Sequence, residues 1–374
     1  MLLYCFIAYD IIIKKESDIL RVTKLEVDLN KFRENIYSIK KYVGNKKIMP
    51  VIKANAYGTY INKRLDIVNE FDIVAVAFVL EGIELRKLGY EKDIFVLNQP
   101  SLEELRDILE YNLIVGISDF GFLEYLDNIG KDIRVHLEIE TGMNRTGIKL
   151  SELDEFIDKV NKNKHIIVEG IYSHLSSADC DLIYTENQYN LFKSAVNILN
   201  NRIKTIKYVH ISASNGIINF SDDISNLVRP GIMIYGYLNN NKVDVEPICK
   251  LKTKITFIKE CNRGESIGYS RGFIATKKIK VATIPIGYAD GLNRILSNKG
   301  SVIINNKLCK IIGNICMDSC MIDVSNVINV KIGDDVYIWD NDLITVDSIA
   351  EISNTINYEI LSTVSNRVCR EFIE

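Results

Sequence analysis

The chain has 374 residues, a formal net charge of −3, 47% hydrophobic residues and 25% charged residues. This balance excludes a disordered or collagen-like chain, and a net charge of −3 without a basic stripe interleaved with aromatics gives no reason to invoke nucleic acid. The length exceeds what one hydrophobic core usually fills, so two domains are expected.

At the N-terminus an apolar run from Met1 to Ile13, broken by Asp10, meets Lys14 and Lys15. It is too short for a membrane span, which takes about 20 residues. A signal peptide carries its basic residues before the apolar run, the opposite order. Residues 1–19 therefore read as an extension outside the fold. From there, apolar strand-like runs alternate with amphipathic helical stretches: Ile48–Ile52, Ile73–Phe78, Ile94–Leu97, Leu113–Ile117, Val135–Ile139, Val168–Tyr172, Tyr208–Ser212, and a last one near Leu227–Arg229 or Ile232–Tyr235. Leu80–Leu88, Leu102–Tyr111 and Ile183–Leu199 carry apolar residues at i, i+3 and i+4 between them. Eight strand-helix units predict an α/β fold, a parallel (β/α)8 barrel over residues 20–241. A doubly wound open sheet shows the same alternation, but no GxGxxG opens a helix here.

The asparagine run 239–241 marks a change of texture. Short strand-like segments follow at Leu251–Ile258, Ile279–Pro285, Ser301–Ile304, Ile311–Cys316 and Val336–Ile338, separated by Gly, Asn and Asp. They predict a mainly β C-terminal domain over 242–374. Eight cysteines lie scattered without CxxC pairs, and there are only four histidines. Reduced thiols in a cytoplasmic protein and no metal site are expected.

Candidate chemistry falls at the ends of the predicted barrel strands. Lys53 follows the first, with Ala54-Asn55-Ala56 opening the next segment as a possible helix cap. A lysine in apolar surroundings at a barrel mouth gives up its proton readily and can carry a cofactor as a Schiff base. The same pattern also describes a surface lysine. Arg145 lies beyond the fifth strand, where its planar fork suits a carboxylate or phosphate. The sixth ends at Ser173-His174, and that histidine could equally be a satisfied interior residue. Ser212-Ala213-Ser214-Asn215-Gly216 after the seventh makes a phosphate cradle at a helix start, and Arg229-Pro230-Gly231 follows the eighth.

Five segments, Val51–Gly58, Thr141–Gly147, Arg229–Ile232, Ile284–Gly291 and Ile315–Asp318, carry Val-Ile-Lys-Ala-Asn-Ala-Tyr-Gly, Thr-Gly-Met-Asn-Arg-Thr-Gly, Arg-Pro-Gly-Ile, Ile-Pro-Ile-Gly-Tyr-Ala-Asp-Gly and Ile-Cys-Met-Asp. In these motifs and their order the chain resembles alanine racemases, pyridoxal-phosphate enzymes that pair a barrel with a β-rich C-terminal domain, over roughly residues 21–370. The resemblance implies interconversion of L- and D-alanine, the source of D-alanine for peptidoglycan, by two bases facing opposite sides of the α-carbon. Lys53 would hold the cofactor and act as one base, and Tyr269 would be the other. A tyrosine ordinarily ionises near about pH 10, so this role calls for a neighbouring positive charge, for which Arg145 is the candidate.

His174 would hydrogen-bond that tyrosine, which in the family comes from the partner subunit, so a homodimer is implied. Arg229 would face the pyridine nitrogen with His210 behind it. Tyr57, Ser214, Gly231 and Ile232 match phosphate-binding positions. Cys316 and Met317 would meet the substrate carboxylate, and Tyr288 would narrow the entrance. Three departures stand out. Glu138 occupies the place of a lysine that is carbamylated in many members, where a carboxylate could orient Arg145. Asn366 replaces a tyrosine that touches the phosphate and lines the substrate pocket, which raises a serine-accepting alternative. Ala213 replaces the usual Asn before Ser214. A non-catalytic cofactor carrier would lack the second domain, and a decarboxylase would carry a different C-terminal signature.

Overall fold

The computed structural model describes residues 21–126, 130–238 and 242–374. The expected extension 1–19 and the asparagine run 239–241 lie outside the described residues. The chain forms two compact units, Lys31–Pro247 and a second built from Ile248–Glu374 together with the segment that ends at Asn30.

The first unit is α/β. Strands β2 (Lys47–Ile48), β3 (Ile73–Val76), β4 (Asp93–Val96), β5 (Ile114–Ile117), β6 (Ile133–Glu138), β7 (Ile166–Tyr172), β8 (Tyr208–His210) and β9 (Leu227–Val228) follow β1 (Lys24–Asp28), which belongs to the other unit. β3 to β8 form one parallel sheet in sequential order, and β2 pairs with β9. A parallel bridge joins Val51 to Ala75, and another joins Ala213 to Arg229. Parallel strands covered on both faces read as continuous apolar runs. β3 and β5 are accordingly buried at every position.

The helices between strands follow from their stripes. In Leu153–Lys162 the residues Leu153, Phe156, Ile157 and Val160 are buried, the i, i+3, i+4, i+7 set of one face. Leu182–Arg202 starts at Asp181, whose side chain accepts the Tyr184 amide at 2.9 Å. Of the two candidates for the last strand, Leu227–Val228 is extended, whereas Ile232–Tyr235 forms a 3-10 turn.

The second unit is mainly β. Strands β10 (Cys249–Lys254), β11 (Phe257–Cys261), β12 (Ser266–Ile267), β13 (Phe273–Ile274), β14 (Ile279–Ile284), β15 (Ser301–Ile304), β16 (Lys307–Ile312), β17 (Cys320–Asp323), β18 (Asp335–Trp339) and β19 (Cys369–Ile373) come in chain order. Eight of them join β1 in one nine-stranded sheet, in the order β11-β14-β17-β16-β15-β18-β10-β1-β19. Here the domain boundary differs from the 20–241 expectation. β1 is antiparallel to β10 and parallel to β19, with Leu25 and Val27 fully buried. The predicted strand Leu251–Ile258 is two strands, and Ile311–Cys316 leaves the sheet at Ile312.

Candidate active site

Lys53 stands at the end of the bridge-forming segment after β2, and the backbone beyond it does not form the right-handed helix that the cap pattern suggests. Ala54, Asn55, Ala56 and Tyr57 have φ between 52° and 55°. Left-handed backbone costs an L-residue roughly 1–2 kcal/mol each, so a run of four needs outside support. Glu81 supplies it, accepting the Ala54 amide at 2.6 Å and the Ala77 amide at 2.7 Å. The Gly58 amide closes onto the Ala54 carbonyl and the Tyr60 amide onto the Asn55 carbonyl. Glu81 is a site residue that the sequence reading did not single out. Its only local signal is its position in the first turn of Val79–Leu88.

Burial, helped by the nearby positive charges of Arg145 and Arg229, lowers the pKa of Lys53 below the ordinary lysine value, against a smaller opposing pull from Glu81. Arg229 is 2% exposed and enclosed by acceptors. One terminal nitrogen meets His210 Nδ1 at 2.6 Å and the His210 carbonyl at 2.9 Å. The other meets the carbonyls of Ser173 and Ile211 at 2.7 and 3.2 Å, and His174 Nδ1 at 3.3 Å. Nε–H takes part in none of these bonds. Burial brings Arg229 down to about 10, which still leaves it a cation at neutral pH. Burial and the charges of Arg229, Arg145 and Lys53 push His174 down to about 3, so its ring is neutral.

Beside Arg229, the Ser214 hydroxyl accepts the amides of Gly231 at 3.0 Å and Met233 at 3.3 Å, which leaves its own hydrogen to donate elsewhere. The Gly231 amide is thus engaged by the serine, where the resemblance had it facing phosphate. Ile232 is fully buried in the same turn. A Cβ at Gly231 would lie 2.4 Å from Tyr57 Oη, so the absence of a side chain there admits the phenol. Ser214 opens a helix of only six residues.

Glu138 is 4% exposed and accepts from Tyr172 Oη at 3.1 Å. Burial raises its pKa, against the pull of hydrogen bonds from Thr146 and Tyr172 and the charges of Arg145 and Arg229. Arg145 itself is exposed. The α/β unit therefore gathers Lys53, Tyr57, Glu138, Arg145, His174, His210, Ser214, Arg229 and Gly231. Tyr172 was not foreseen, because nothing local distinguishes it from a core tyrosine.

The remaining candidates belong to the β unit. Tyr269 opens a tight turn in which Ser270 and Arg271 have positive φ, and its carbonyl accepts the Asn314 side-chain amide at 2.8 Å. Tyr269 is 71% exposed and Met317 52% exposed. The Tyr288 amide donates to the Cys316 carbonyl and the Ala289 amide to the Met317 carbonyl, each at 3.0 Å, which ties those two segments together. Under them Asp290 is fully buried. Burial works against its charge but is outweighed by the Arg21 guanidinium, the Gly287 amide and Arg367, and its pKa falls. Asn366 is exposed.

The model of the alanine racemase N-terminal domain matches residues 27–239 and that of the alanine racemase C-terminal domain residues 248–372. Alanine racemase 2 of Caldanaerobacter subterraneus subsp. tengcongensis is 37% identical over 372 residues, 95% of this chain and 96% of the relative. A solved alanine racemase of Clostridium difficile 630 superposes with a TM-score of 0.88 at 33% identity, covering 95% and 97% of the two chains. That of Bartonella henselae with covalently bound pyridoxal phosphate gives 0.84 at 26% identity, covering 94% and 99%. With both domain models matched in order and a full-length relative sharing more than a third of its residues, the chain belongs to the alanine racemase family.

Proposed function

We propose that this chain interconverts L- and D-alanine with pyridoxal phosphate, with Lys53 as its covalent attachment point and one of two bases. The carrying observation is a family member whose half-buried lysine has a lowered pKa beside two guanidinium groups. The residues fit the cofactor. A space kept open at Gly231 admits Tyr57, the Ser214 hydroxyl keeps a free hydrogen, and the Arg229 Nε–H stays uncommitted. Tyr57, Ser214 and Ile232 would hold the phosphate, Gly231 would keep the room beside it, and Arg229 would face the ring nitrogen. Bound there, pyridoxal phosphate withdraws electron density from the substrate α-carbon and makes its proton removable.

The protein supplies the rest. Arg229 donates but cannot hand over a proton, so the charge opposite the ring nitrogen stays on the guanidinium. The lowered proton affinity of Lys53 suits an amine that takes a proton from one face of the substrate and returns it. On the other face the Tyr269 hydroxyl would do the same, steadied by His174 and Arg145. Arg145, oriented from Glu138, would also draw the substrate carboxylate, with Cys316 and Met317 presenting backbone to it and Tyr288 bounding the entrance. Asn366 would sit near the phosphate.

The exposure of Tyr269 and Met317 supports a homodimer in which each subunit lends these residues to the other. The parallel bridges Val51 to Ala75 and Ala213 to Arg229, together with the β2–β9 pair, support closure of the eight strands into a (β/α)8 barrel. The seven cysteines among the described residues form no disulfide with one another, and thiols of this kind suit a reducing cytoplasm. The serine alternative raised by Asn366 is not favoured, since the relatives above bear the name alanine racemase. The test is an absorbance spectrum followed by circular dichroism of L-alanine incubated with the protein. A cofactor band with decay of ellipticity to zero is expected, and persistent L-alanine ellipticity despite bound cofactor would refute the reading.

A further inference from the structure

Behind Arg229 a chain of buried rings continues beyond His210 to a residue with no part in the reaction described above. His136 on β6 places Nδ1 2.9 Å from His210 Nε2, and both rings are fully buried. The direction of the hydrogen bonds is set from one end. A guanidinium only donates, so at 2.6 Å from Arg229 the His210 Nδ1 must accept. His210 then carries its single proton on Nε2 and donates it to His136. His136 must in turn accept at Nδ1 and carry its proton on Nε2, an atom that is buried without a partner among the described residues.

A buried N–H left unpaired costs free energy, so the arrangement stands against a penalty that an apolar residue at 136 would avoid. The surrounding packing is shaped to hold the imidazole. A Cβ at Gly170 would lie 2.6–2.7 Å from three atoms of the ring, so a glycine on the neighbouring strand makes its room. Phe95 stacks on its other side with ring centroids 4.5 Å apart and planes at 28°.

We propose that His136 is a positioning residue, whose Nδ1 accepts the His210 proton and so fixes the one His210 tautomer that can receive a hydrogen bond from Arg229. Burial, with the charges of Arg134 and Arg229, pushes His136 down to about 3, and His210 is likewise held far below the usual histidine value by burial, Arg229 and His136. Both rings are then neutral, as the directional chain requires. Without the acceptor at 136, the Nε2–H of His210 would be buried unpaired and its other tautomer would turn a donor toward the guanidinium. Arg229 would lose its set position. The effect on turnover rests on the Arg229 role proposed above, whereas the tautomers do not.

The experiment is 15N NMR of the histidine-labelled holoenzyme, wild type and two variants, with racemisation kinetics alongside. His136→Leu removes the acceptor. His136→Asn keeps an acceptor oxygen as far along the side chain as Nδ1. In the wild type, His136 and His210 should both be neutral Nε2–H tautomers at pH 7. In His136→Leu the single His210 signal should be lost to mixed tautomers and kcat should fall about 10- to 100-fold, the scale of a small misplacement, with KM nearly unchanged. His136→Asn should restore both. A wild-type His210 protonated at Nδ1, or charged at pH 7, overturns the proposal, as does a His136→Leu enzyme with wild-type tautomer and kcat. If His136→Leu does not fold, the wild-type tautomers and His136→Asn decide alone. A protein that shows the tautomers but no racemisation leaves this proposal standing and refutes the proposed function instead.

Discussion

Gly231→Ala probes the cradle directly. The added Cβ would stand 2.4 Å from Tyr57 Oη and 3.2 Å from Cζ, where ordinary contact begins near 3.4 Å. The phenol must retreat by about 1 Å, yet Tyr57 is 8% exposed and packed on Tyr235 with centroids 4.9 Å apart. Overpacking of this kind costs about 1–3 kcal/mol. For a unit of this size that lowers the melting temperature by about 2–4 °C per kcal/mol. Displaced phosphate contacts of the same energy weaken cofactor retention by roughly 5- to 150-fold. Thermal melts of the cofactor-free protein and titration with pyridoxal phosphate measure the two separately. Tyr57→Phe removes the atom that clashes, so the double variant should melt above Gly231→Ala by much of that loss, a coupling that a double-mutant cycle isolates. Wild-type melting and affinity in Gly231→Ala, or additivity of the two substitutions, would refute the reasoning.

Lys53→Ala should yield no protein-cofactor adduct after borohydride reduction, and an adduct detected at another residue by mass spectrometry would displace Lys53. Tyr269→Phe should lower racemisation in both directions by about 10² to 10⁴ while the cofactor band persists, and unchanged turnover would remove the tyrosine from the chemistry. Stability should fall on acidification. Because the folded pKa values of His136 and His210 lie below the unfolded one, the unfolded chain binds more protons once pH drops below about 6.5. Each ring then costs about 1.4 kcal/mol per pH unit down to its own folded pKa, about 3 for His136. Urea unfolding at pH 7.5 and pH 5 measures it, His136→Asn should flatten the slope, and equal stability at both values would contradict the neutral buried pair.

Much of the α/β unit was legible locally. Apolar runs such as Ile73–Phe78 and Val168–Tyr172 reveal strands buried on both faces, and the lysine, arginine and histidine at their ends need no partner to be noticed. Motif order carried the family, and with it the roles expected of Tyr269 and Met317. Periodicity reports which faces of a segment are buried, but it is silent on what covers them. Lys24–Asp28 alternates buried and half-buried residues, yet that it lies between β10 and β19 depends on segments more than 200 residues away. The backbone of Ala54–Tyr57 runs against its own propensities and is held in part by Glu81, which accepts the Ala54 amide from a helix 27 residues on. His136 and His210, 74 positions apart, become a directed pair only when parallel strands bring their rings within hydrogen-bond reach and Gly170 leaves the space. The sequence by itself determined which segments are buried and which reactive groups end them. The tertiary structure decided which sheet each strand joins, which way the buried hydrogen bonds run and how the lysine turn is held, because each is set by an energy of contact between residues distant in the chain.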